Sequence, residues 1–366
     1  MVDRTKTLNS AAGLTLDDWT SLLKSEGHPN FRSRQIVEWI FDKRISDFSQ
    51  MTNLGQPLRE WLAAQFTASD LETVMVTGSK DSTRKFLFRL ADKRLIETVL
   101  IPANQSMFGE KSDRRTLCVS SQVGCAYDCK FCASGLAGFT RNLTAGEIIS
   151  QVLSVEQEAG ERVQNIVFMG MGEPLANFRN LSQALEILNA PWGINIGARR
   201  MTVSTSGLAP QIEKLAQIPM QIRLAISLHG ATNEVRDQIM PVNKKYPLER
   251  LFQALEVWRE NKKQKITFEY ILIEGVNDGL DQAKFLANRC RSVNAKVNLI
   301  PYNTVEGLQW KRPSVNQQKA FLQVLIEAGV QATLRHEKGH DIAAACGQLR
   351  LQEETKEGTI AEAAIK

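Results

Sequence analysis

The chain has 366 residues, of which 43% are hydrophobic and 23% charged, and its formal net charge at pH 7 is +5. This length predicts about two domains with packed cores, and the hydrophobic content excludes a generally disordered protein. The small net charge excludes a histone-like polycation but not a local basic surface for RNA. No window approaches the roughly 18 uninterrupted apolar residues of a membrane-spanning helix. Because residues 1–6 lack the apolar core of a secretory signal, we expect a cytoplasmic protein.

Residues 1–100 are predicted to form an accessory domain that begins with helices and ends with strands. Thr15 can cap a first amphipathic helix, and a second amphipathic run covers residues 33–42. The basic residues around the second run are Arg32, Arg34, Lys43 and Arg44. An ordinary solvated helix face explains these charges as well as an RNA-binding surface does. Residues 71–101 show the alternation of short antiparallel strands, with turns at Gly78-Ser and Ala91-Asp.

From about residue 115, apolar strand segments alternate with helical stretches, which predicts a parallel sheet with helical crossovers. The predicted strands are residues 116–120, 165–169, 200–204, 221–228, 265–273, 296–300 and 331–334. The predicted helices include residues 145–157, 180–188, 248–262 and 318–327. Polar or glycine-rich segments follow four strands, at Gly170-Met-Gly-Glu-Pro, Ser204-Thr-Ser-Gly, Ser227-Leu-His-Gly and Pro301-Tyr-Asn. In an α/β barrel such strand ends form the working face, so these segments predict one composite site.

The strongest chemical signal is the C-x3-C-x2-C spacing of Cys125, Cys129 and Cys132. Six cysteines in a cytoplasmic chain of this size are more typical of metal-binding or reactive thiols than of structural disulfides. Three thiolates on one short loop can hold three irons of a 4Fe-4S cubane and leave the fourth iron open to a ligand. Zinc, the main alternative, normally takes four ligands with a second Cys or His pair, and no histidine forms such a pair near this loop.

Several segments along the chain share a pattern with one known family. They are Ile96-Glu-Thr-Val-Leu-Ile-Pro, Leu117-Cys-Val-Ser-Ser-Gln-Val-Gly-Cys, Gly138-Phe-Thr-Arg-Asn-Leu, Met169-Gly-Met-Gly-Glu-Pro-Leu, Thr202-Val-Ser-Thr-Ser-Gly, Ile226-Ser-Leu-His, Asn298-Leu-Ile-Pro-Tyr-Asn and Ala344-Ala-Cys-Gly-Gln-Leu. With the cysteine loop, they make the chain resemble the radical S-adenosylmethionine (SAM) enzymes, and more closely the bacterial dual-specificity RNA adenine-C2 methyltransferases. The resemblance implies an α/β fold in which a partial (β/α)6 radical-SAM barrel spans residues 101–350. An N-terminal helical accessory domain at residues 1–100 would help to bind RNA, and residues 351–366 would form a C-terminal tail.

The resemblance also implies which residues bind the cofactors. The open iron of the 4Fe-4S cluster would chelate the amino and carboxylate groups of SAM, and each turnover would use two SAM molecules. The implied SAM contacts are Gly172, Glu173, Ser204, Ser227, Leu228, His229 and Asn303. A glutamate can pair with the SAM ammonium, and a glycine lets the backbone come close. Without the resemblance, His229 would be interpreted as a satisfied core histidine at a strand end.

Three further residues gain a role only from the resemblance. Cys346 would be methylated to S-methylcysteine and deliver the methyl carbon to C2 of adenine, an electron-poor carbon that does not attack SAM directly. Glu97 would be the proton acceptor, and Cys118 would attack the Cys346 sulfur to release the product and leave a transient disulfide. On the residues alone, Cys346 would be a small buried thiol and Glu97 a strand-face carboxylate. Cys290 is assigned to structure.

The implied substrates are an adenosine in the peptidyl transferase region of 23S rRNA and the adenosine beside the tRNA anticodon. We also expect an external electron donor such as flavodoxin or ferredoxin, no membrane contact and a monomer. Candidate phosphate contacts are Arg32, Arg34, Lys43, Arg44, Arg114, Arg115, Lys244 and Lys245. Two alternatives stay open: a sibling enzyme that methylates C8, and a metal-stabilised RNA-binding protein without catalysis.

Two segments depart from the family pattern. Residues 102–115 make a longer link between Glu97 and Cys118 than shorter members have, which bears on where Glu97 points. His336 and His340 stand in a run that is usually richer in arginine, which bears on RNA contacts there.

Overall fold

The computed structural model describes residues 8–68, 70–79, 82–102, 114–136, 138–303 and 308–335. Cys346, His336, His340 and the predicted tail at residues 351–366 therefore lie outside the described residues. Within the described part of the chain, no helix combines the length and apolar character needed to cross a membrane.

The N-terminal part consists of three helices and a small pair of parallel strands. In chain order they are β1 (Asn9–Ser10), α1 (Leu16–Ser25), α2 (Phe31–Val37), α3 (Gln56–Gln65) and β2 (Phe66–Thr67). The predicted cap is confirmed, because Thr15 Oγ1 accepts the Asp18 amide at 3.1 Å while the Asp18 carboxylate accepts the Thr15 amide at 2.9 Å. The second predicted helix is also present, although its last turn, Glu38–Asp42, is a π-helix.

Three antiparallel strands follow, as the sequence predicts. They are β3 (Glu72–Gly78), β4 (Arg84–Arg89) and β5 (Leu95–Pro102). Strand β5 also pairs antiparallel with β6 (Arg115–Cys118), a pairing that the sequence did not predict. The three strands therefore extend the barrel sheet instead of forming a separate layer. The division proposed near residue 100 falls inside β5 and stays a prediction.

The barrel part alternates strands and helices. A short hairpin comes first, β7 (Gln122–Gly124) and β8 (Phe139–Asn142), with α4 (Ala133–Leu136) between its strands. The remaining strands are β9 (Asn165–Phe168), β10 (Met201–Thr205), β11 (Arg223–Ser227), β12 (Thr267–Leu272), β13 (Lys296–Pro301) and β14 (Ala332–Leu334). The remaining helices are α5 (Ala145–Ala159), α6 (Phe178–Asn189), α7 (Ala209–Gln217), α8 (Asn233–Ile239), α9 (Leu248–Asn261), α10 (Leu280–Ser292) and α11 (Val315–Glu327).

One ten-stranded sheet results, with the strand order β14-β13-β12-β11-β10-β9-β6-β5-β4-β3. Within this sheet, every neighbouring pair of strands between β14 and β6 is parallel. Each of the first six of these parallel strands in chain order is followed by at least one helix. The predicted partial barrel of six strand–helix units is confirmed, with β14 as an additional edge strand. Each of the seven predicted strands lies within two residues of its observed bounds.

The strand register shows that the two faces of the sheet carry different kinds of side chain. Paired residues on neighbouring strands share a face, and successive residues along a strand alternate between faces. The outer face is apolar and joins the main hydrophobic core with Phe88, Leu117, Ile166, Val203, Phe268 and Leu299. The inner face carries Glu97, Cys118, Ser204, Ser227 and Glu269, which the ladders from β5 to β12 place on the same side. The inner face therefore presents the polar groups.

Candidate active site

A cavity of about 280 Å³ lies at the C-terminal ends of the parallel strands. The predicted site residues on its walls are Cys125, Cys129, Cys132, Gly172, Glu173, Ser204, Ser227 and His229. They come from the loop after β7, from the segment after β9, and from the ends of β10 and β11. The predicted composite site at the strand ends is thus a single cavity in the structure.

The cysteine loop is held on several sides. Its Lys130 amide donates to the Ile239 carbonyl at 2.9 Å, and its Lys130 carbonyl accepts the Trp310 indole at 3.0 Å. Phe131 meets the His229 ring edge-on, with centroids 4.7 Å apart. These contacts fix the loop against α8 and the end of β11.

The three thiols fit a cubane cluster by their chemistry. Cys125, Cys129 and Cys132 line one cavity, and no three His, Cys, Asp or Glu side chains of the described residues converge on one point as ligands of a single ion. A cubane takes its thiolates on separate iron corners. Burial raises the pKa of the Cys125 thiol to about 12. Bound iron would therefore supply the positive charge that stabilises the thiolate.

The Glu173 carboxylate is buried and held in place by two backbone amides. It is 3% exposed, and its carboxylate accepts the Leu175 amide at 3.0 Å and the Ser206 amide at 2.7 Å. Burial raises the pKa of this carboxyl group, while the amide hydrogen bonds oppose that effect. The ion pairs of the described residues do not include Glu173, so its carboxylate is available to a cationic group of a ligand.

Gly172 has to be a glycine for two reasons. Its φ of +97° lies in the region that side chains avoid, and a Cβ there would come within 2.5 Å of Gln122 Cβ. Gln122 in turn accepts the Glu173 amide at 2.8 Å. The glycine therefore lets the backbone before Glu173 pack closely on Gln122.

His229 is held in one tautomer. Its Nδ1 accepts the Ile271 amide at 3.0 Å, so Nε2 carries the proton of the neutral ring. Burial, together with the nearby charge of Arg236, lowers the pKa of His229 to about 3. The ring is therefore a neutral hydrogen-bond donor at the cavity wall.

Leu228 and Asn303 lie outside the cavity wall. Leu228 is fully buried, and its amide donates to the Glu269 carbonyl at 3.0 Å. Asn303 Oδ1 is buried and has no hydrogen-bond partner among the described residues. Such an acceptor is costly unless the donor of a ligand satisfies it, so Asn303 fits a ligand contact.

Glu97 and Cys118 lie on the inner face, on the neighbouring strands β5 and β6, and neither lines the cavity of the cysteines. They are 2% and 6% exposed. The Glu97 carboxylate forms an ion pair with Lys85, and its backbone carbonyl accepts Ser120 Oγ at 2.6 Å. The structure thus places Glu97 inside the fold and next to the strand of Cys118.

Comparisons with known proteins agree with this geometry. The N-terminal domain of ribosomal RNA large subunit methyltransferases matches residues 11–67, and the radical SAM superfamily matches residues 119–286. The crystal structure of a radical SAM methyltransferase from Sphaerobacter thermophilus has a TM-score of 0.87 and 42% identity, covering 93% of this chain and 98% of that chain. A protein of Opitutus terrae named probable dual-specificity RNA methyltransferase RlmN 3 is 52% identical over 361 residues, covering 96% of both chains. A protein of Akkermansia muciniphila named probable dual-specificity RNA methyltransferase RlmN is 56% identical over 334 residues, covering 91% of this chain and 93% of the relative.

The chain belongs to the RlmN family of dual-specificity RNA methyltransferases. Radical SAM enzymes use a 4Fe-4S cluster and SAM, so this RlmN family member is a SAM-dependent radical RNA methyltransferase. The predicted family, fold and enzyme class are confirmed. The alternative of a non-catalytic RNA-binding protein is wrong.

Sequence reasoning missed several polar residues of this RlmN family member. Arg236 is fully buried below the cavity, although its helix sequence looks like a solvated surface. Glu269 is 6% exposed at the cavity wall, where its carboxylate accepts Asn298 Nδ2 at 2.9 Å and burial raises its pKa. A single glutamate in an otherwise apolar strand was the available signal for Glu269. Lys85, the ion-pair partner of Glu97, gave no comparable signal.

The candidate RNA contacts fall into two groups in this RlmN family member. Arg44, Lys43 and Arg115 form ion pairs with acidic residues of the chain, and the Arg44 side chain is only 12% exposed. The second group contains the exposed residues Arg34, Arg114, Lys244 and Lys245 and the half-buried Arg32. The second group therefore offers the more accessible charges.

Proposed function

We propose that this protein methylates C2 of adenosine in 23S rRNA at the peptidyl transferase centre and in tRNA next to the anticodon. The proposal rests on membership of the RlmN family and on the names of its relatives, which are dual-specificity RNA methyltransferases. The single observation that carries it is that the three loop cysteines and Glu173 line one cavity at the strand ends. A cytoplasmic monomer that takes electrons from flavodoxin or ferredoxin is part of the same proposal.

The cofactors would be held by residues of that cavity. Cys125, Cys129 and Cys132 would ligate the cluster, while Glu173 would accept the SAM ammonium. The remaining SAM contacts would be Gly172, Ser204, Ser227, Leu228, His229 and Asn303. When bound, the reduced cluster and SAM supply the carbon radical that abstracts hydrogen, and a second SAM in each turnover supplies the methyl group.

Residues of the chain would carry the methyl carbon, remove the proton and release the product from sulfur. Cys346 would carry the methyl carbon as S-methylcysteine, and its carbon would become bonded to C2. Glu97 would take the C2 proton, and the Cys118 thiolate would then attack the Cys346 sulfur. The adduct would give one electron back to the oxidised cluster. The bond between sulfur and the methyl-derived carbon would then break, and this carbon would take up a proton to become the methyl group of the released methyladenine. The new Cys118–Cys346 disulfide would be reduced by two electrons from cellular thiols. The position of Glu97 and Cys118 on neighbouring strands of the inner face supports this division of roles.

The nucleoside product tests the proposal. RNA treated anaerobically with the enzyme, SAM and a reductant, then digested and analysed by mass spectrometry, should contain 2-methyladenosine. Exclusive formation of 8-methyladenosine would overturn the proposal in favour of the C8 sibling. Cys346→Ala should abolish product, whereas Cys290→Ala removes a thiol in α10 outside the site and should preserve it.

A further inference from the structure

Arg236 is a buried cation that forms no ion pair within the described part of the chain, although the charge of the neighbouring Asp237 acts on it. Its side chain in α8 is 0% exposed, and Nη1 donates to the Ser227 carbonyl at 3.0 Å and also to the Leu228 carbonyl. Nη2 donates to the Ser206 carbonyl, while Nε is buried without a hydrogen-bond partner among the described residues. No carboxylate of the described residues forms an ion pair with this guanidinium.

Three carbonyl dipoles orient the guanidinium but do not neutralise it. Burial lowers the pKa of Arg236 to about 10, so the side chain still carries its positive charge at neutral pH. An unpaired buried charge is strongly unfavourable, and a neutral side chain of similar shape would avoid that cost. The fold therefore keeps this charge where an anion from outside the chain can balance it.

The position of the charge indicates which anion. Two of the carbonyls belong to Ser206 and Ser227, which line the cavity together with Cys129. Arg236 also belongs to α8, whose last residue, Ile239, accepts the Lys130 amide of the cysteine loop at 2.9 Å. An iron–sulfur cluster bound by three thiolates carries net negative charge, and reduction adds one more electron. The cluster is thus the anion that fits.

We propose that Arg236 is the fixed counter-charge of the iron–sulfur cluster and favours the reduced state of the cluster. Through its hydrogen bonds to backbone carbonyls, the same guanidinium also holds together the ends of β10 and β11 next to the SAM site. The inference rests on the proposed cluster ligation by Cys125, Cys129 and Cys132. Arg236 acts as a positioning residue, because it reaches the cofactors through the loop and the strand ends.

The reduction potential of the cluster distinguishes an effect of the Arg236 charge from an effect of Arg236 on packing. Wild-type protein, Arg236→Gln and Arg236→Lys are reconstituted anaerobically, assayed for iron and sulfide, and titrated with reductant while the reduced cluster is followed by electron paramagnetic resonance. For Arg236→Gln we expect the equilibrium constant for reduction to fall about tenfold, a shift of about −59 mV for one electron. Arg236→Lys keeps the charge and should stay near the wild-type potential. Arg44→Gln is the matched control, since Arg44 is paired with Glu156 and does not line this cavity, and it should leave the potential unchanged.

The outcomes distinguish this inference from the proposed function. A fully loaded Arg236→Gln protein with the wild-type potential would overturn the inference alone. If Arg236→Gln cannot retain a cluster, the iron and sulfide content of Arg236→Lys becomes the test. The inference requires that Arg236→Lys binds as much cluster as the wild type does. If both variants fail equally to bind the cluster, the inference is overturned. A wild-type protein that assembles no four-iron cluster would instead overturn the proposed cofactor ligation.

Discussion

Lys85 Nζ lies 3.0 Å from Glu97 Oε2, and the two side chains are 0% and 2% exposed. They project from the same inner face on the neighbouring strands β4 and β5. A buried ion pair of this kind fixes the direction of the carboxylate. Because we propose Glu97 as the acceptor of the C2 proton, its orientation depends on a lysine that is twelve positions earlier in the sequence.

Breaking this pair should destabilise the protein and slow proton removal. Lys85→Met removes the lysine from this buried ion pair, which should cost about 3–5 kcal/mol in the free energy of unfolding, measured by chemical denaturation. The double variant Lys85→Met/Glu97→Gln should recover part of this stability but no methylation. A double variant with wild-type methylation would show that Glu97 is not the proton acceptor.

Cys118→Ala should trap a covalent adduct between the protein and RNA through Cys346, because the thiol proposed to resolve it is removed. Denaturing gel electrophoresis with labelled RNA would reveal the adduct. Cys290→Ala, which alters a buried thiol in α10, is the control and should form none. Free methylated product at the wild-type rate from Cys118→Ala would contradict the role of Cys118.

Glu173→Gln should weaken SAM binding. Losing a charge-assisted contact to the SAM ammonium should cost about 1.5–3 kcal/mol, roughly a tenfold to hundredfold higher Kd. Equilibrium binding of SAM to the cluster-loaded protein measures this change. The exposed Glu186 of α6 provides the control, and Glu186→Gln should bind as the wild type does. Unchanged affinity in Glu173→Gln would remove the carboxylate from the SAM site.

Gly172→Ala should lower stability more than a matched glycine substitution. Both Gly172 and Gly160 have positive φ, but a Cβ at Gly172 would lie 2.5 Å from Gln122 Cβ, whereas one at Gly160 would meet nothing within 4 Å. Steric overlap should add about 1–3 kcal/mol to the conformational cost that both variants share. Thermal unfolding compares them, and equal losses would show that Gln122 moves aside freely.

Stability should also depend on pH through Asp70. Burial raises the pKa of Asp70 to about 6, from an ordinary value of 3.8, and its carboxylate accepts Ser150 Oγ at 3.0 Å. The folded state therefore holds this proton more tightly, and its contribution to stability is lost as the pH rises through 6. Asp70→Asn should be more stable than wild type at pH 7.5, with a smaller advantage at pH 5. An advantage independent of pH, measured by denaturation at both values, would contradict this assignment.

The features of the fold that local sequence patterns determine could be predicted from the sequence. Apolar runs between helical segments predicted all seven parallel strands, and the segments after their ends predicted the composite cavity. It could not predict that β5 pairs with β6, because residues 103–114 separate the two strands and their sequence shows no periodic pattern. Arg236 and Lys85 were missed for a related reason: a charged residue in a polar pattern is normally solvated, and its burial depends on long-range packing.

The pairing of β5 with β6 has a practical consequence for dissecting the protein. A fragment that starts at residue 101 would lack residues 95–100 of β5 and leave Leu117 and Cys118 of β6 without their β5 partners. Such an edge is a template for intermolecular strand association, so the fragment should aggregate. A fragment that begins before Glu72 retains β3, β4 and β5 and keeps that edge covered. Trimming this enzyme to a minimal barrel therefore requires a start well upstream of the radical SAM match.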